Sequence, residues 1–301
     1  MPSYGRAARG SGPEFSGRDP ALSFSWSISV FLKGNSMTEG WRFRPGTLDE
    51  AIFNAVVLFN EYRLPPSFAA ADIVLDIGAH TGSFAQAAAS RGCEHVYSVE
   101  PDQGNIEMAS RNLSCYIASG FVRLMRGAAW RSDPNGDELR FDGYHQFPRS
   151  YIEMSGILNT GNGSVIWGVG EPVNKIAFDD LVDTATDNGK KRVRLLKLDC
   201  EGAEWPILLT SQRLHLVDEI AGEFHEIGGP YLEISEDREI QVPIFSSRDS
   251  SVFRVEMLMR FLDEAGFEAT YTRHERPGGA PEGLGLFFAR RRAKRQEPID
   301  E

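Results

Sequence analysis

The residues of this chain best suited to binding chemistry lie in two short stretches. The first is Val74-Leu-Asp-Ile-Gly-Ala-His-Thr-Gly-Ser83, in which an apolar, strand-like run ends in Asp76 and Gly-x-x-x-Gly then opens a helix. Such a turn presents backbone N–H groups and a helix N-terminus to whatever binds there. Gly78 and Gly82 carry no Cβ, so the backbone can approach a ligand closely. A dinucleotide fingerprint requires Gly-x-Gly-x-x-Gly, whereas Ala79 and His80 follow the first glycine here; the Gly-Lys-Ser/Thr of a Walker loop is also absent. The second stretch is Val96-Tyr-Ser-Val-Glu-Pro101, with Glu100 standing 22 positions after Gly78 at the end of the next apolar run. A carboxylate there can accept both ribose hydroxyls of an adenosine ligand and repels a 2′-phosphate.

The elements that must carry these stretches follow from periodicity. From Thr47 the apolar residues Leu48, Ile52, Ala55, Val56 and Phe59 recur at three and four, with Asp49 and Glu50 in the first turn; Leu64-Pro65-Pro66 stops this helix. Strands at 73–77 and 95–99 flank a small-residue helix from about Ser83 to Arg91, the order and spacing of a parallel crossover. A helix over 102–113 and a strand near 121–125 continue the alternation. Between 127 and 178, short alternating stretches (138–141, 164–167, 173–178) separated by Gly, Asn and Pro predict an antiparallel β insertion, with a surface loop from Gly156 to Gly163. The alternation resumes with a strand at 193–199, a helix at 203–209 and a strand at 217–224. A helix at 252–265 and a closing hairpin, 267–273 with 283–290, complete the chain. The Gly-, Pro- and Ser-rich stretch 228–251 follows a sheet strand and predicts a substrate lid, with Tyr231, Phe245 and Arg248 as contacts.

This assigns one catalytic domain to 37–290, with an N-terminal helical cap at 37–70. Residues 1–36 read as a disordered arm or an appended tag, because Gly10-Ser-Gly-Pro-Glu-Phe15 resembles a cloning linker. The apolar run Ala21 to Leu32 falls short of the roughly 20 residues that span a bilayer, and no A-x-A-like cleavage site follows it. Residues 291–301 read as a charged, solvated tail containing most of the basic run from Arg290 to Arg295. The net charge of -11 repels phosphate backbones, which argues against a nucleic-acid partner. Three cysteines without CxxC spacing argue against a disulfide framework or zinc knuckle and favour a reducing, cytoplasmic setting.

Asp76-Ile-Gly-Ala-His-Thr-Gly, Val99-Glu-Pro, Arg111-Asn-Leu and above all Leu196-Lys-Leu-Asp-Cys-Glu-Gly-Ala-Glu204 resemble the FkbM family of S-adenosylmethionine-dependent methyltransferases. The resemblance covers roughly Leu48 to Glu226. It departs at His80, where the family often has Asn, and at Cys200, where an apolar residue is common. It implies an α/β class I methyltransferase (Rossmann-like) fold: a seven-stranded, mostly parallel sheet with its last strand antiparallel and helices on both faces. It implies O-methylation of a hydroxyl on a small, sugar-containing or natural-product acceptor. It also implies cofactor contacts from Asp76, Gly78, Ala79, His80, Thr81 and Gly82 to the methionine part, from Glu100 and Pro101 to the ribose, and from Gly127 and Ala128 to the adenine edge, with Asp199 close by.

An alcohol is a poor nucleophile until its proton is removed or its oxygen binds a metal. Asp199 ends one strand, and Glu223-Phe-His-Glu226 ends the next, where alternation puts Glu223 and His225 on one face and Glu226 on the other. Asp199, Glu223 and His225 are therefore the expected catalytic constellation, with His225 as general base because its ordinary pKa is about 6.5. The plainer reading of His225 is a hydrogen-bonded structural histidine. Asp199 and Glu223 could instead share a divalent cation through oxygen. Glu204 is expected to cap the following helix, Lys197 to pair with one of the acids, and Cys93 and Cys200 to fill core. His95, His145, His215 and His274 show no cluster spacing. The competing readings are N-methylation or methylation of a macromolecule, and a cofactor-binding module without catalysis. No Asn/Asp-Pro-Pro-Tyr or Pro-Cys motif supports nucleic-acid methylation.

Overall fold

The computed structural model describes residues 40–134, 136, 138–143, 157–228, 252–275 and 279–293. The chain divides into Met1–Trp41 and Arg42–Glu301, and the fold belongs to the second unit. The expected arm at 1–36, the lid contacts Tyr231, Phe245 and Arg248, and His145 lie outside the described residues.

Strand β1 (Ile73–Ile77) is buried at every position, so it needs cover on both faces, and its run of apolar residues, interrupted only by Asp76, is the sequence form of that requirement. It pairs in parallel with β2 (His95–Glu100) and, across the other edge, with β8 (Val193–Leu198). The full sheet also takes in β3 (Val122–Arg126), β9 (Glu219–His225), β10 (Phe267–Glu275) and β11 (Pro281–Arg291). Its order is β10-β11-β9-β8-β1-β2-β3, with β11 antiparallel to both neighbours. This is the expected seven-stranded α/β sheet with one reversed strand.

Register positions the site. Ile77 lies opposite both Val99 and Leu198, and Leu198 opposite Gly222, so Gly78, Glu100, Asp199 and Glu223 emerge together at one edge. Carboxyl ends of strands in such sheets form the ligand crevice. Helix α2 (Ser83–Ala89) packs close through Ala85, Ala87 and Ala88, all fully buried. Helix α3 (Gln103–Asn112) starts at Asp102, whose side chain accepts from the Asn105 N–H, and α4 (Ser114–Ala118) follows it. Helices α5 (Phe178–Thr186), α6 (Glu204–Thr210) and α7 (Val255–Glu264) bury Phe178, Trp205 and Leu258 in the main core.

Four features differ from the periodicity. Helix α1 (Asp49–Phe53) runs into a π-helical turn, Asn54–Leu58, rather than continuing as α-helix to Phe59. The wider turn shifts the register, and Phe59 leaves the buried face at 77% exposure. Among the described residues of the insertion, β4 (Ala128–Trp130) pairs with β7 (Lys175–Ala177) in parallel, while β5 (Arg140–Phe141) pairs antiparallel with β6 (Glu171–Pro172) and Asp142 forms an antiparallel bridge with Ser164. The antiparallel expectation for 127–178 thus holds for these two pairings and is corrected for β4 with β7: Lys175–Ala177 leads directly into α5, an element the alternation did not reveal, and the crossover brings it beside β4. Finally, Arg291 belongs to β11 and not to a solvated tail. Its guanidinium donates to the carbonyls of Val217 and Leu214 and lies 4.2 Å from the centre of the Phe267 ring, because a planar five-donor group finds backbone acceptors there.

Gly78 is the tightest backbone position at the crevice. With φ of +80° it occupies the left-handed region, and a Cβ there would stand 1.8 Å from the Asp199 carbonyl oxygen. Gly78→Ala is expected to lower stability by about 3 kcal/mol or more, read as the shift of the urea midpoint at unchanged slope.

Candidate active site

Just past β1, the N–H groups of Gly78 and Ala79 both donate to the Val99 carbonyl, which fixes the turn against β2. The turn carries the His80 N–H to Glu100 Oε2 at 2.8 Å, while Glu100 Oε1 accepts from the Asp102 N–H and Asn105 Nδ2. Burial pushes the Glu100 carboxyl up to about 7 despite these donors.

A second network ties the N-terminal segment to this turn. Arg44 donates through its backbone N, Nε and Nη2 to Asp49, and Thr160 Oγ1 donates to the same carboxylate at 2.8 Å. Arg44 Nη2 also reaches Asn105 Oδ1 at 2.8 Å. Burial would raise Asp49, but the Arg44 and Thr160 donors outweigh it and hold the acid at about 2. Since Thr160 spends its proton on Asp49, the 2.7 Å contact between Thr160 Oγ1 and His80 Nε2 assigns the imidazole proton to Nε2. Burial lowers His80 to about 4, so the ring is neutral.

Beneath the crevice lies Lys197, 3% exposed. Its Nζ donates to the carbonyls of Ile77 (3.2 Å) and Gly78 (2.5 Å) and stands 3.5 Å from Asp76 Oδ1 and 3.6 Å from Asp199 Oδ2. Burial opposes the charge, but Asp199 and Asp76 outweigh it and raise the Lys197 pKa. The lysine thus pairs with two of the acids. Tyr62, from the segment after the π turn, donates its hydroxyl to Asp199 Oδ2 at 2.9 Å. With Lys197, His225 and Tyr62 around it, Asp199 stays below the usual carboxylate range in spite of burial.

These groups surround a cavity of about 360 Å³. Gly78, Ala79, His80, Glu100, Pro101 and Ala128 line it as expected, and so do Asp199 and Glu223. Asp76, Thr81 and Gly82 do not. Asp76 lies under the strand end, accepting from Ser98 and facing Lys197, outside the cavity lining. Gly82 instead lets Leu113 pack, a Cβ there falling 2.6 Å from Leu113 Cδ1. Leu48, Ile52, Ala55 and Val56 roof the cavity, so the helical cap is part of its wall.

His225 is absent from that wall. Its Nδ1 is 2.5 Å from Glu204 Oε1 and its Nε2 3.5 Å from Glu201 Oε2, with the ring 1% exposed. Burial alone would strip its proton, but Glu201 and Glu204 raise its pKa well above the ordinary histidine value. With both nitrogens turned to carboxylates that favour its charged form, and outside the cavity wall, the ring has the geometry of a positioning residue for Glu201 rather than of the expected general base. Glu204 correspondingly holds His225 and caps no helix N–H. Glu223, the alternative cation partner of Asp199, is not among the three donors that come within 4.8 Å of one another, Asp199, Glu201 and His225. Glu223 faces His274 at 3.6 Å, and burial and the Asp199 charge raise its pKa well above the usual carboxylate value. Cys93 is core, as expected, while Cys200 reaches the cavity wall with its thiol pushed well up by burial.

Periodicity did not single out Glu61, Tyr62, Arg44, Ser83, Asn105 or Thr160. Tyr62 and Asp199 are 137 positions apart, and Arg44 and Thr160 116 apart, so no local spacing connects them. The one local sign was polar residues, Asn60-Glu61-Tyr62, placed between an apolar helix and a Pro-Pro stop.

The sheet order, the Gly-x-x-x-Gly turn and the acid ending the next strand define an α/β class I methyltransferase. Residues 76–269 match the methyltransferase FkbM domain, and the chain belongs to that family of S-adenosylmethionine-dependent enzymes. No curated protein sequence matches it. Among solved structures it is similar to an O-methyltransferase from Bacillus cereus in complex with SAH, at 12% identity and a TM-score of 0.42, covering 90% of this chain and 97% of that one. It is also similar to a precorrin-6y C5,15-methyltransferase from Geobacter metallireducens (9%, TM-score 0.36, 83% and 93% covered). A proposed RNA methyltransferase from Pyrococcus horikoshii is similar at 14% identity (TM-score 0.37, 90% and 98% covered).

Two stability effects follow. Asp49, lowered from 3.8 to about 2, stabilises the fold fully above pH 4 and loses that contribution as the pH falls through 2. In urea titrations across that range the parent should lose about 2 kcal/mol that Asp49→Asn does not lose. His225→Ala, which leaves Glu201 and Glu204 facing each other without their cation, should cost about 3–5 kcal/mol at neutral pH by the same method.

Proposed function

We propose that the protein transfers a methyl group from S-adenosylmethionine to a hydroxyl of a small sugar-containing or natural-product acceptor. The observation that carries this reading is the acidic lining of the cavity, which includes Asp199, held in its charged form by Lys197 and Tyr62, together with Glu201, Glu223 and the Glu100 turn. An amine entering among carboxylates is stabilised as its ammonium, which is no nucleophile, whereas a hydroxyl donates to them and becomes more nucleophilic. A cavity of about 360 Å³ roofed by a helix suits a small molecule, and an acidic surface suits nucleic acid poorly. The soluble-enzyme reading is compatible with the described residues, in which no helix is long and apolar enough to cross a membrane.

The residues present fit the cofactor. Ser83 Oγ is buried in the cavity wall with no hydrogen-bond partner, at the first turn of α2, where a ligand carboxylate would be stabilised. Glu100 Oε2 keeps one lone pair after its single protein donor, room for a ribose hydroxyl, while Oε1 already accepts from two donors. In this reading Gly78 to His80 and Ser83 hold the amino-acid part, Glu100 and Pro101 the ribose, and Ala128 the adenine edge. The bound cofactor supplies an electrophilic methyl group. Asp199, fixed by Tyr62 and Lys197, orients the acceptor hydroxyl, and Glu223 offers a second hydrogen-bonding group.

Calorimetry should show saturable S-adenosylmethionine binding that Glu100→Gln weakens by about 1.5–3 kcal/mol. Incubation with labelled cofactor and a panel of polyhydroxylated small molecules, read by mass spectrometry, should label an oxygen; label found only on nitrogen or on added RNA would sink the acceptor assignment.

A further inference from the structure

One carboxylate in the cavity wall belongs to no motif. Glu61 lies in the short segment between the π turn and Leu64-Pro65-Pro66, and this segment is held unusually tightly for a loop. Asn60 and Arg63 flank it with φ of +52° and +53°, the left-handed region that non-glycine residues enter at a cost. Asn60 Nδ2 donates to the Leu64 carbonyl and the Leu64 N–H returns to Asn60 Oδ1, both at 3.0 Å. The Glu61 N–H donates to the Ala55 carbonyl, tying it to the π turn, and the next side chain, Tyr62, is anchored on Asp199. Backbone strain kept in place by this many bonds sets the direction of whatever lies between them, and Glu61 lines the cavity.

The acids of the wall differ in what already occupies them. Asp199 accepts from Tyr62 and faces Lys197, so its charge is stabilised and it is a weak proton acceptor. Glu223 faces His274, and burial and the Asp199 charge favour its protonated form. The Glu61 carboxylate makes no hydrogen bond or ion pair among the described residues. The groups that face it are Asp199 and Lys197 from β8, Glu223 from β9 and Tyr62 from its own segment. Burial first, then the Asp199 charge, push it up to about 7, with Lys197 opposing. A catalytic base works best with a pKa near the operating pH.

We propose that Glu61 is the catalytic base of the reaction, the group that receives the acceptor's hydroxyl proton. As the acceptor oxygen forms its bond to the methyl carbon, the S–CH3 bond breaks with its electron pair retained on sulfur. The O–H proton passes to a Glu61 carboxylate oxygen and leaves to solvent after product release. This assignment rests on the proposed O-methylation.

The test uses the full chain and Glu61→Gln and Glu61→Asp variants. In carbon-13 NMR of glutamate-labelled protein, with and without S-adenosylhomocysteine, one carboxyl signal missing from Glu61→Gln should titrate near neutral pH; a signal titrating in the ordinary glutamate range overturns the proposal. With the acceptor identified by the labelling panel, Glu61→Gln should lower kcat by about a hundredfold or more and abolish the rise in rate through neutral pH. Its affinity for S-adenosylmethionine should be unchanged, and Glu61→Asp should recover part of the rate and the pH limb. A variant that keeps both rate and limb removes the role while leaving methyl transfer intact. Failure of the parent protein to bind S-adenosylmethionine removes the functional reading itself.

Discussion

The buried ammonium of Lys197 is the interaction on which the rest of the site depends. Removing such a charge from water costs several kcal/mol, and only close, well-aimed partners offset it. Here they are the carbonyls of Ile77 and Gly78, the carboxylates of Asp76 and Asp199, and the face of the Tyr62 ring 5.5 Å away. They come from β1, from β8 and from the segment after the π turn, so the charge can be buried only when all three are in register. A slip of one residue between β1 and β8 would turn Lys197 to the other face of the sheet. The ion cluster therefore links correct strand pairing to a correctly formed cavity floor.

The same cation grades the acids above it. Asp199, the nearest, keeps its charge; Glu61 and Glu223, which lack its direct partners, are pushed upward by burial and by the Asp199 charge itself. A parallel contrast separates Asp49 from Glu100. Both are buried and both accept several N–H or O–H donors, yet one is held at about 2 and the other rises to about 7. Asp49 has a guanidinium among its donors, and Glu100 has only neutral amides. Charge-assisted hydrogen bonds are roughly twice as strong as neutral ones, which decides the sign.

Much of the sheet was legible because parallel strands buried on both faces are rich in apolar residues, and β1, β2 and β8 are short, mostly apolar stretches with polar residues at a few positions. Helix α5 was not, since Phe178 closes an alternating β-like stretch and the helix adds only nine residues before the chain turns at Asp187. The parallel pairing of β4 with β7 was equally hidden. Alternation reports which side of a strand faces the core and carries nothing about the direction of its partner. The π turn escaped for a related reason, because one widened turn leaves composition unchanged while moving Phe59 off the buried face.

The sequence by itself determined the family, the strand–turn–helix at Gly78 and the acids at the strand ends, since these depend on neighbours in the chain and on the two-residue period of a strand. Only the tertiary structure decided what each acid and histidine does. His225 and Glu223 share a strand and a face, yet one is clamped as a cation behind the wall and the other stands in it. Protonation and reach are set by partners brought from distant segments, as Tyr62 is brought to Asp199 across 137 positions. Burial and Coulomb interaction act through space, and adjacency in sequence records neither.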